Sequence, residues 1–525
     1  MVRAQFRTRS WMTRSVAIIT LLAAAAGATA QTLEGKVRGA LAQARLGNAK
    51  VGVSVLDCQS GRELVDIAPA GGSSEKGLIP ASNLKLLTSG AALLTLGKDY
   101  EFRTELVIDG KRLIVRGAGD PAFADPELLD KMRMGVDEFV DRLVESIKKS
   151  APVGGINEVI VDDRVFDREF VHPDWPAGQL HLSYCAQVSG MNFHGNVLNV
   201  FVSPGPTAGS EAAARPEPSG NWITIKRQAR TVRDGNTEVW LEREPSPPAP
   251  PFSFRLHGTV RNATDRPVQV TVQDPGLFFA RVMADRLRKA GLADSTGLTA
   301  RTAATEEQLT GGVVAAVVRT PISVAMERCN IDSDNLYAES LCKSAGHKAT
   351  GQPGSWSNGN ALTRMQVRDR LGADFASGLT LADGCGLSRS NRVSAETLTR
   401  WLRVMANDAD CGDLYVRSLA IAGEEGTLRK RFKGAKIKNE VRAKSGYIRE
   451  VRTLSGYVTN VPTGRRIAFS ILINNVPSGA DARAKEVHEK IVEIVDDYLA
   501  AECKGQTAGT IGKGAGIGAA GRADE

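Results

Sequence analysis

Two runs with the alternation and β-branched content of strands, Lys50 to Cys58 and Glu63 to Ile67, flank the polar turn Gln59-Ser60-Gly61-Arg62. Apolar density then rises. Ile79-Pro80-Ala81-Ser82-Asn83-Leu84-Lys85-Leu86-Leu87-Thr88-Ser89-Gly90-Ala91-Ala92-Leu93-Leu94 opens on a proline and is too apolar for a helix with one wet face, so it predicts a buried helix. From about Tyr100 to Pro275 the pattern breaks into short strands and loops. Within it lie a Gly/Ala/Pro-rich stretch, Pro204 to Asn221, and a proline-rich one, Glu244 to Phe254; the segment between them is the expected core of a small nested domain, about 195–265. Phe278 to Ala290 is helical in period and is expected to mark the return to the first domain. Val441 to Tyr447, Leu454 to Val458 and Arg466 to Ile473 follow as adjacent antiparallel strands, the last two joined by the turn Asn460-Val461-Pro462-Thr463-Gly464-Arg465. Asp481 to Glu502 sets Val487, Ile491, Ile494, Tyr498 and Leu499 on one helical face, suited to packing on that sheet. No fixed-period repeat is present.

At 525 residues the chain can hold two or three domains with a substantial core. Arg3, Arg7, Arg9 and Arg14 precede an apolar stretch, Val16 to Ala26, and then Ala28-Thr29-Ala30 before Gln31. That is the form of a secretory signal over 1–30, with an A-x-A cleavage site; Met12 could equally serve as the start. The apolar run is too short to span a bilayer, and no later stretch qualifies, so no transmembrane anchor is expected after cleavage. The net charge of +8 includes those arginines, which leaves a modest excess that excludes a nucleic-acid footprint and suits an anionic wall. Seven cysteines in an oxidising compartment allow disulfides, with an odd one left over. The six histidines are scattered without ligand spacing, so neither metal nor cofactor is expected. The remaining partition is 31–99 and 276–504 as two parts of one catalytic domain, 100–275 as inserted domains, and 505–525 as a disordered Gly/Ala-rich tail.

Three short motifs carry the chemistry: Ser82-Asn83-Leu84-Lys85, Ser333-Asp334-Asn335 and Lys444-Ser445-Gly446. Single matches are cheap, since Ser73-Ser74-Glu75-Lys76, Ser146-Ile147-Lys148-Lys149 and Ser340-Leu341-Cys342-Lys343 have the first spacing and Ser219-Gly220-Asn221 the second. Setting separates them. A serine at a helix start lies near the positive end of the dipole, and a lysine three residues on shares its face. An N-cap role would explain Ser82 but not a lysine in an apolar helix, where burial disfavours the charged form and equips the amine as a base. Ser333-Asp334-Asn335 alone reads equally as a helix cap. Lys444 and Ser445 sit on a strand beside Gly446, which lets a substrate backbone approach.

The three motifs in this order resemble those of active-site-serine penicillin-binding proteins and β-lactamases. The chain resembles most closely the class C low-molecular-mass penicillin-binding proteins, the serine-type D-alanyl-D-alanine carboxypeptidases and endopeptidases of the cell wall. Gly117-Ala118-Gly119-Asp120-Pro121, Asp383-Gly384-Cys385-Gly386-Leu387-Ser388-Arg389, Gly423-Glu424-Glu425-Gly426-Thr427-Leu428-Arg429, Val393-Ser394 and Leu454 to Val458 extend the likeness over roughly 45 to 500. The long separation of Ser82 from Ser333 favours this family over compact β-lactamases, which have only a short helical segment there.

The resemblance implies an α/β, multi-domain fold: a β-lactamase/transpeptidase-like catalytic domain, an antiparallel sheet flanked by helices, interrupted by a long inserted region of smaller β-rich domains. It implies catalysis by Ser82, Lys85 and Ser333, with substrate held by Asn335, Lys444, Ser445, Gly446 and Tyr447. Ser82 would attack the D-alanyl carbonyl, Lys85, its charged form disfavoured by burial and by Lys444, would take the proton, Ser333 would relay it, and Lys444 with Ser445 would bind the terminal carboxylate. The oxyanion hole would be the N–H groups of Ser82 and Tyr447. Peptidoglycan stem peptides and cross-links would be substrates and β-lactams covalent inhibitors, in a periplasmic or secreted location. Ser445, Tyr447 and Cys385 depart from the family's usual threonine, threonine and serine. A secreted β-lactamase or esterase, or a catalytically silent wall-binding protein, are the alternatives.

Overall fold

The computed structural model describes residues 32–69 and 77–504; the expected signal segment, Ser73-Ser74-Glu75-Lys76 and the expected tail lie outside the described residues. A six-stranded antiparallel sheet runs in the order Ala420–Ile421, Glu440–Ile448, Val451–Asn460, Arg465–Asn474, Lys50–Asp57, Glu63–Ile67. Its central strands are buried on both faces because both are covered. Leu33–Gln43 and Asp481–Glu502 pack together on one side, and Leu84–Leu96 and Ala395–Ala406 lie on the other. Val487, Ile491, Val492, Val495 and Leu499 are buried on the C-terminal helix, while Ile494 and Tyr498, placed on the same face by the sequence pattern, sit at its half-buried margin. The expected antiparallel sheet flanked by helices is therefore present.

Residues Leu84 to Leu93 are all buried, so the helix is enclosed all round, as its composition requires. It packs on Asn335–Thr350, Ile322–Asn330 and Trp356–Leu371. The nucleophile motif thus stands at the boundary between the sheet and an all-helical layer.

Between them lies a second body. A five-stranded sheet has the order Thr299–Thr302, Glu158–Asp162, Arg112–Arg116, Glu101–Asp109, Val313–Pro321. Helix Pro275–Lys289 packs on Glu158–Asp162 and Thr299–Thr302, so the return expected at residue 276 falls instead after Pro321, where Ile322–Asn330 begins. The period of Phe278, Phe279, Val282, Met283 and Leu287 identifies a buried face but carries no label for the sheet that covers it. Two small sheets follow within the insertion: Val268–Thr271, Val197–Ser203, Ala213–Glu217 in order, and Glu238–Arg243, Ser253–Val260, Thr224–Arg227 with Arg230–Thr231 also paired to Ser253–Val260. Leu198, Val200, Leu256 and Val260 share one apolar cluster with Val144 and Phe278, so the small sheets lean on the core of the larger one. All seven cysteines are buried free thiols, and the disulfides that the sequence allows do not form. Among the described residues no helix is long and apolar enough to cross a membrane.

Candidate active site

Ser82 lies in the short 3₁₀ turn Ala81–Asn83 that leads into Leu84–Leu96. Ala81 has φ +46, a left-handed value uncommon for alanine, and the turn is anchored from the sheet. Thr453 Oγ1 shares its single proton between Pro80 O at 2.9 Å and Asn83 Oδ1 at 2.5 Å, while Asn83 Nδ2 donates to Ser455 Oγ at 2.6 Å. Lys85 is fully buried and uses its three donors on Asn335 Oδ1 at 2.7 Å, Cys385 O at 2.9 Å and Ser82 Oγ at 3.3 Å. A buried ammonium is tolerated only with such partners.

Ser333 occupies the loop between Ile322–Asn330 and Asn335–Thr350, and Asn335 opens the second helix; Ser333 has φ +66 and Asp334 caps that helix by accepting from Tyr337 N. Arg328 governs this loop. Its buried guanidinium meets Asp332 and Glu127 at 2.6 Å each, Asp125 at 3.2 Å and Asp334 at 3.7 Å. Tyr337 Oη donates to Asp125 Oδ2 at 2.6 Å. Asp125 caps the inserted helix Pro126–Lys131, so one arginine ties the insertion to the Ser333 loop. Asn335 Nδ2 donates to Tyr184 O at 2.8 Å, a second tie to the insertion.

Strand Glu440–Ile448 supplies the third motif. Lys444 is fully buried and donates to Ser445 O at 2.9 Å, while the Ser445 hydroxyl meets Thr427 Oγ1 at 2.8 Å. Burial, and next the nearby Lys85, push Lys444 well below the ordinary lysine value. A Cβ on Gly446 would come within 3.0 Å of Ser82 N, so strand and helix start nearly touch there. Tyr447 is 65% exposed, its ring beneath the Arg452 guanidinium at 3.8 Å.

Ser82, Ser333, Asn335 and Tyr447 line one cleft of about 820 Å³; Lys85, Lys444, Ser445 and Gly446 are not among its lining residues, and Lys85 is bonded to Asn335 rather than to Ser333. Asp174, Pro176, Gln179 and Tyr184 of the insertion form one wall, Leu387 and Arg389 another, and Arg449 and Glu450 the hairpin rim. The walls interlock: Ser388 Oγ donates to Asp174 Oδ2 at 2.7 Å and Trp175 Nε1 to Asp383 Oδ2 at 3.0 Å.

Residues 33–498 match the D-Ala-D-Ala carboxypeptidase 3 (S13) family. The chain belongs to this family. The S13 chain is 30% identical over 481 residues to the D-alanyl-D-alanine carboxypeptidase of Actinomadura sp. (strain R39), covering 87% of this chain and 84% of that protein. It is 23% identical to D-alanyl-D-alanine carboxypeptidase DacB of Haemophilus influenzae, covering 79% and 84%. The crystal structure of penicillin binding protein 4 (dacB) from Haemophilus influenzae superposes with a TM-score of 0.69 at 21% identity, over 89% of this chain and 99% of that one. The S13 chain is an enzyme, a serine-type D-Ala-D-Ala carboxypeptidase of the penicillin-binding protein family.

Three parts of the S13 site went unread in the sequence. The wall from Asp174 to Tyr184 is a loop without period, and tertiary bonds to Ser388, Asp383 and Asn335 place it. Thr427 lies in a family-like segment with no role attached. Glu339 follows Asn335 by one helical turn and looks like a surface residue until its burial is seen.

Proposed function

We propose that the carboxypeptidase acts through an acyl-enzyme on Ser82, with Lys85 taking the hydroxyl proton, Ser333 relaying it to the leaving D-alanine amine and Asn335 holding the acyl-chain amide. The observation that carries this is Lys85 Nζ, fully buried and shared between Ser82 Oγ and two fixed acceptors. A buried amine beside a hydroxyl is the arrangement that activates serine. Lys444, with the hydroxyls of Ser445 and Thr427, receives the terminal carboxylate; the arriving negative charge restores a lysine ammonium that burial disfavours. Gly446 admits the substrate strand, and the N–H groups of Ser82 and Tyr447 face the oxyanion, each donor worth about 3 kcal/mol of barrier. Water then releases the acyl group. A β-lactam enters the same reaction but keeps its leaving group tethered, so its adduct persists.

A cleft of about 820 Å³ leaves room for peptide on both sides of the bond, which supports endopeptidase action on cross-links beside carboxypeptidase action on stem peptides. The basic and apolar N-terminus ending in Ala28-Thr29-Ala30 supports export to the periplasm or beyond. Mass spectrometry after brief exposure to penicillin tests the chemistry: one drug per chain is expected on Ser82, and none on Ser82→Ala. Rapid drug loss without an adduct would favour a β-lactamase, and neither adduct nor drug loss would end the acyl-serine reading.

A further inference from the structure

Lys85 Nζ has two acceptors besides the nucleophile, and both trace to one helix. Asn335, at the start of Asn335–Thr350, bonds it directly. The other acceptor, Cys385 O, belongs to a loop remote in sequence. What holds that loop is Glu339, one turn beyond Asn335 on the same helical face and fully buried. Its Oε1 accepts from Cys385 N at 2.8 Å; its Oε2 accepts from Gly384 N at 2.9 Å and Trp356 Nε1 at 2.7 Å. The Lys85 helix grips the loop from the other side, where Thr88 Oγ1 donates to Gly384 O at 2.7 Å.

The fit leaves no slack. A Cβ on Gly384 would stand 2.8 Å from both Glu339 Oε2 and Cys342 Cβ, so glycine is what allows the carboxylate to reach two successive peptide N–H groups. Asp383 completes the loop by accepting from Gly386 N, Ser388 N, Trp175 Nε1 and Asn391 Nδ2 at 2.7–3.0 Å. Glu339, Asp383 and Cys385 have ligand-type atoms within 4.8 Å of one another, but N–H donors already occupy the carboxylate oxygens, so the cluster serves as a peptide holder and not as a metal site. Burial, then the Asp383 charge, raise the Glu339 carboxyl to about 7.

We propose that Glu339 is a positioning residue for acylation: it orients the Gly384–Cys385 peptide so that the Cys385 carbonyl fixes the Lys85 amine against Ser82 Oγ. This rests on the acyl-serine chemistry proposed above. Glu339→Gln keeps the shape but turns an NH₂ group towards peptide N–H donors, which displaces the loop. Penicillin acylation is followed by stopped flow, with rates expressed per competent site titrated by excess drug, alongside kcat and KM for a D-alanyl-D-alanine peptide. The expected result is a fall of about 10²-fold in the per-site acylation rate and in kcat, with KM within about twofold, as a misplacement near 1 Å produces. A purely structural glutamate would lower the fraction of competent sites and leave the rate of each one unchanged; that outcome overturns the proposal. If Glu339→Gln does not fold, Thr88→Val decides, with about tenfold slower per-site acylation expected from the lost bond to Gly384 O and an unchanged rate overturning it. Lack of any Ser82 adduct in the unaltered enzyme is a different failure, that of the acyl-serine chemistry itself.

Discussion

Gly446→Ala isolates the contact between the third-motif strand and the start of the nucleophile helix. The added methyl would fall inside the van der Waals shell of Thr453 Oγ1 and within 3.0 Å of both Asn83 Oδ1 and Ser82 N. Rotation of Thr453 offers little relief, because its hydroxyl is committed to Pro80 O at 2.9 Å and Asn83 Oδ1 at 2.5 Å. Strand and helix start must therefore separate by about 1 Å to restore ordinary contact. Overpacking of this kind costs about 1–3 kcal/mol in stability. A displacement of about 1 Å at the reacting groups costs about 10²-fold in rate, because the hydroxyl and its oxyanion donors leave their aligned positions. Urea denaturation reads the first effect and per-site penicillin acylation the second. Thr453→Ala removes the clashing oxygen, so the double variant should recover part of both losses, a coupling expected only for groups in contact. If Gly446→Ala unfolds within 0.5 kcal/mol of the parent and acylates at the parent rate, the two elements do not approach as described.

Arg328→Met should cost about 3–5 kcal/mol in urea, because Asp125 is left buried beside Tyr337 without its countercharge; a loss under 1 kcal/mol would show that the carboxylates repair themselves. Burial raises Asp120 to about 6, so its contribution to stability is complete below the unfolded value of 3.8 and lost as pH rises through 6. Asp120→Asn does not titrate, so its stability relative to the parent should improve by about 2.4 kcal/mol from pH 4 to pH 7; a flat difference would refute the raised carboxyl. Thr427→Val should raise KM for peptides ending in a free carboxylate by about tenfold with a smaller change in kcat; an unchanged KM would remove Thr427 and its Ser445 partner from carboxylate binding.

What could be read from the sequence follows from where each group's partner lies. Ser82, in the turn that opens the helix, and Lys85, in its first turn, are three residues apart, and a lysine in an apolar helix advertises its own cost, so local spacing suffices. The strand run around Lys444 is equally local. Glu339 is the opposite case: two of its donors, Gly384 N and Cys385 N, are backbone groups of a distant loop, and backbone N–H groups leave no trace in residue identity. The wall from Asp174 to Tyr184 is irregular chain placed by tertiary bonds, so no periodicity announces it. Helix Pro275–Lys289 was legible as a helix, but its owner was not, since Phe278 and Phe279 would be buried against either sheet. The free cysteines have a related cause: each thiol is buried apart from the others, and a count of sulfurs cannot reveal separation.

Arg328 lies on the catalytic side of the chain, yet two of its carboxylates, Asp125 and Glu127, come from the insertion. The inserted body is therefore no detachable cassette. A truncated enzyme that rejoined the two catalytic segments would expose a buried guanidinium and the apolar flank of Tyr337 at the edge of its own reaction centre. Any shorter descendant of this architecture would first have to find a new counterion for Arg328, or lose it together with Asp332 and Asp334. The two bodies are bound to change together, because the Ser333 loop takes part of its anchorage from each.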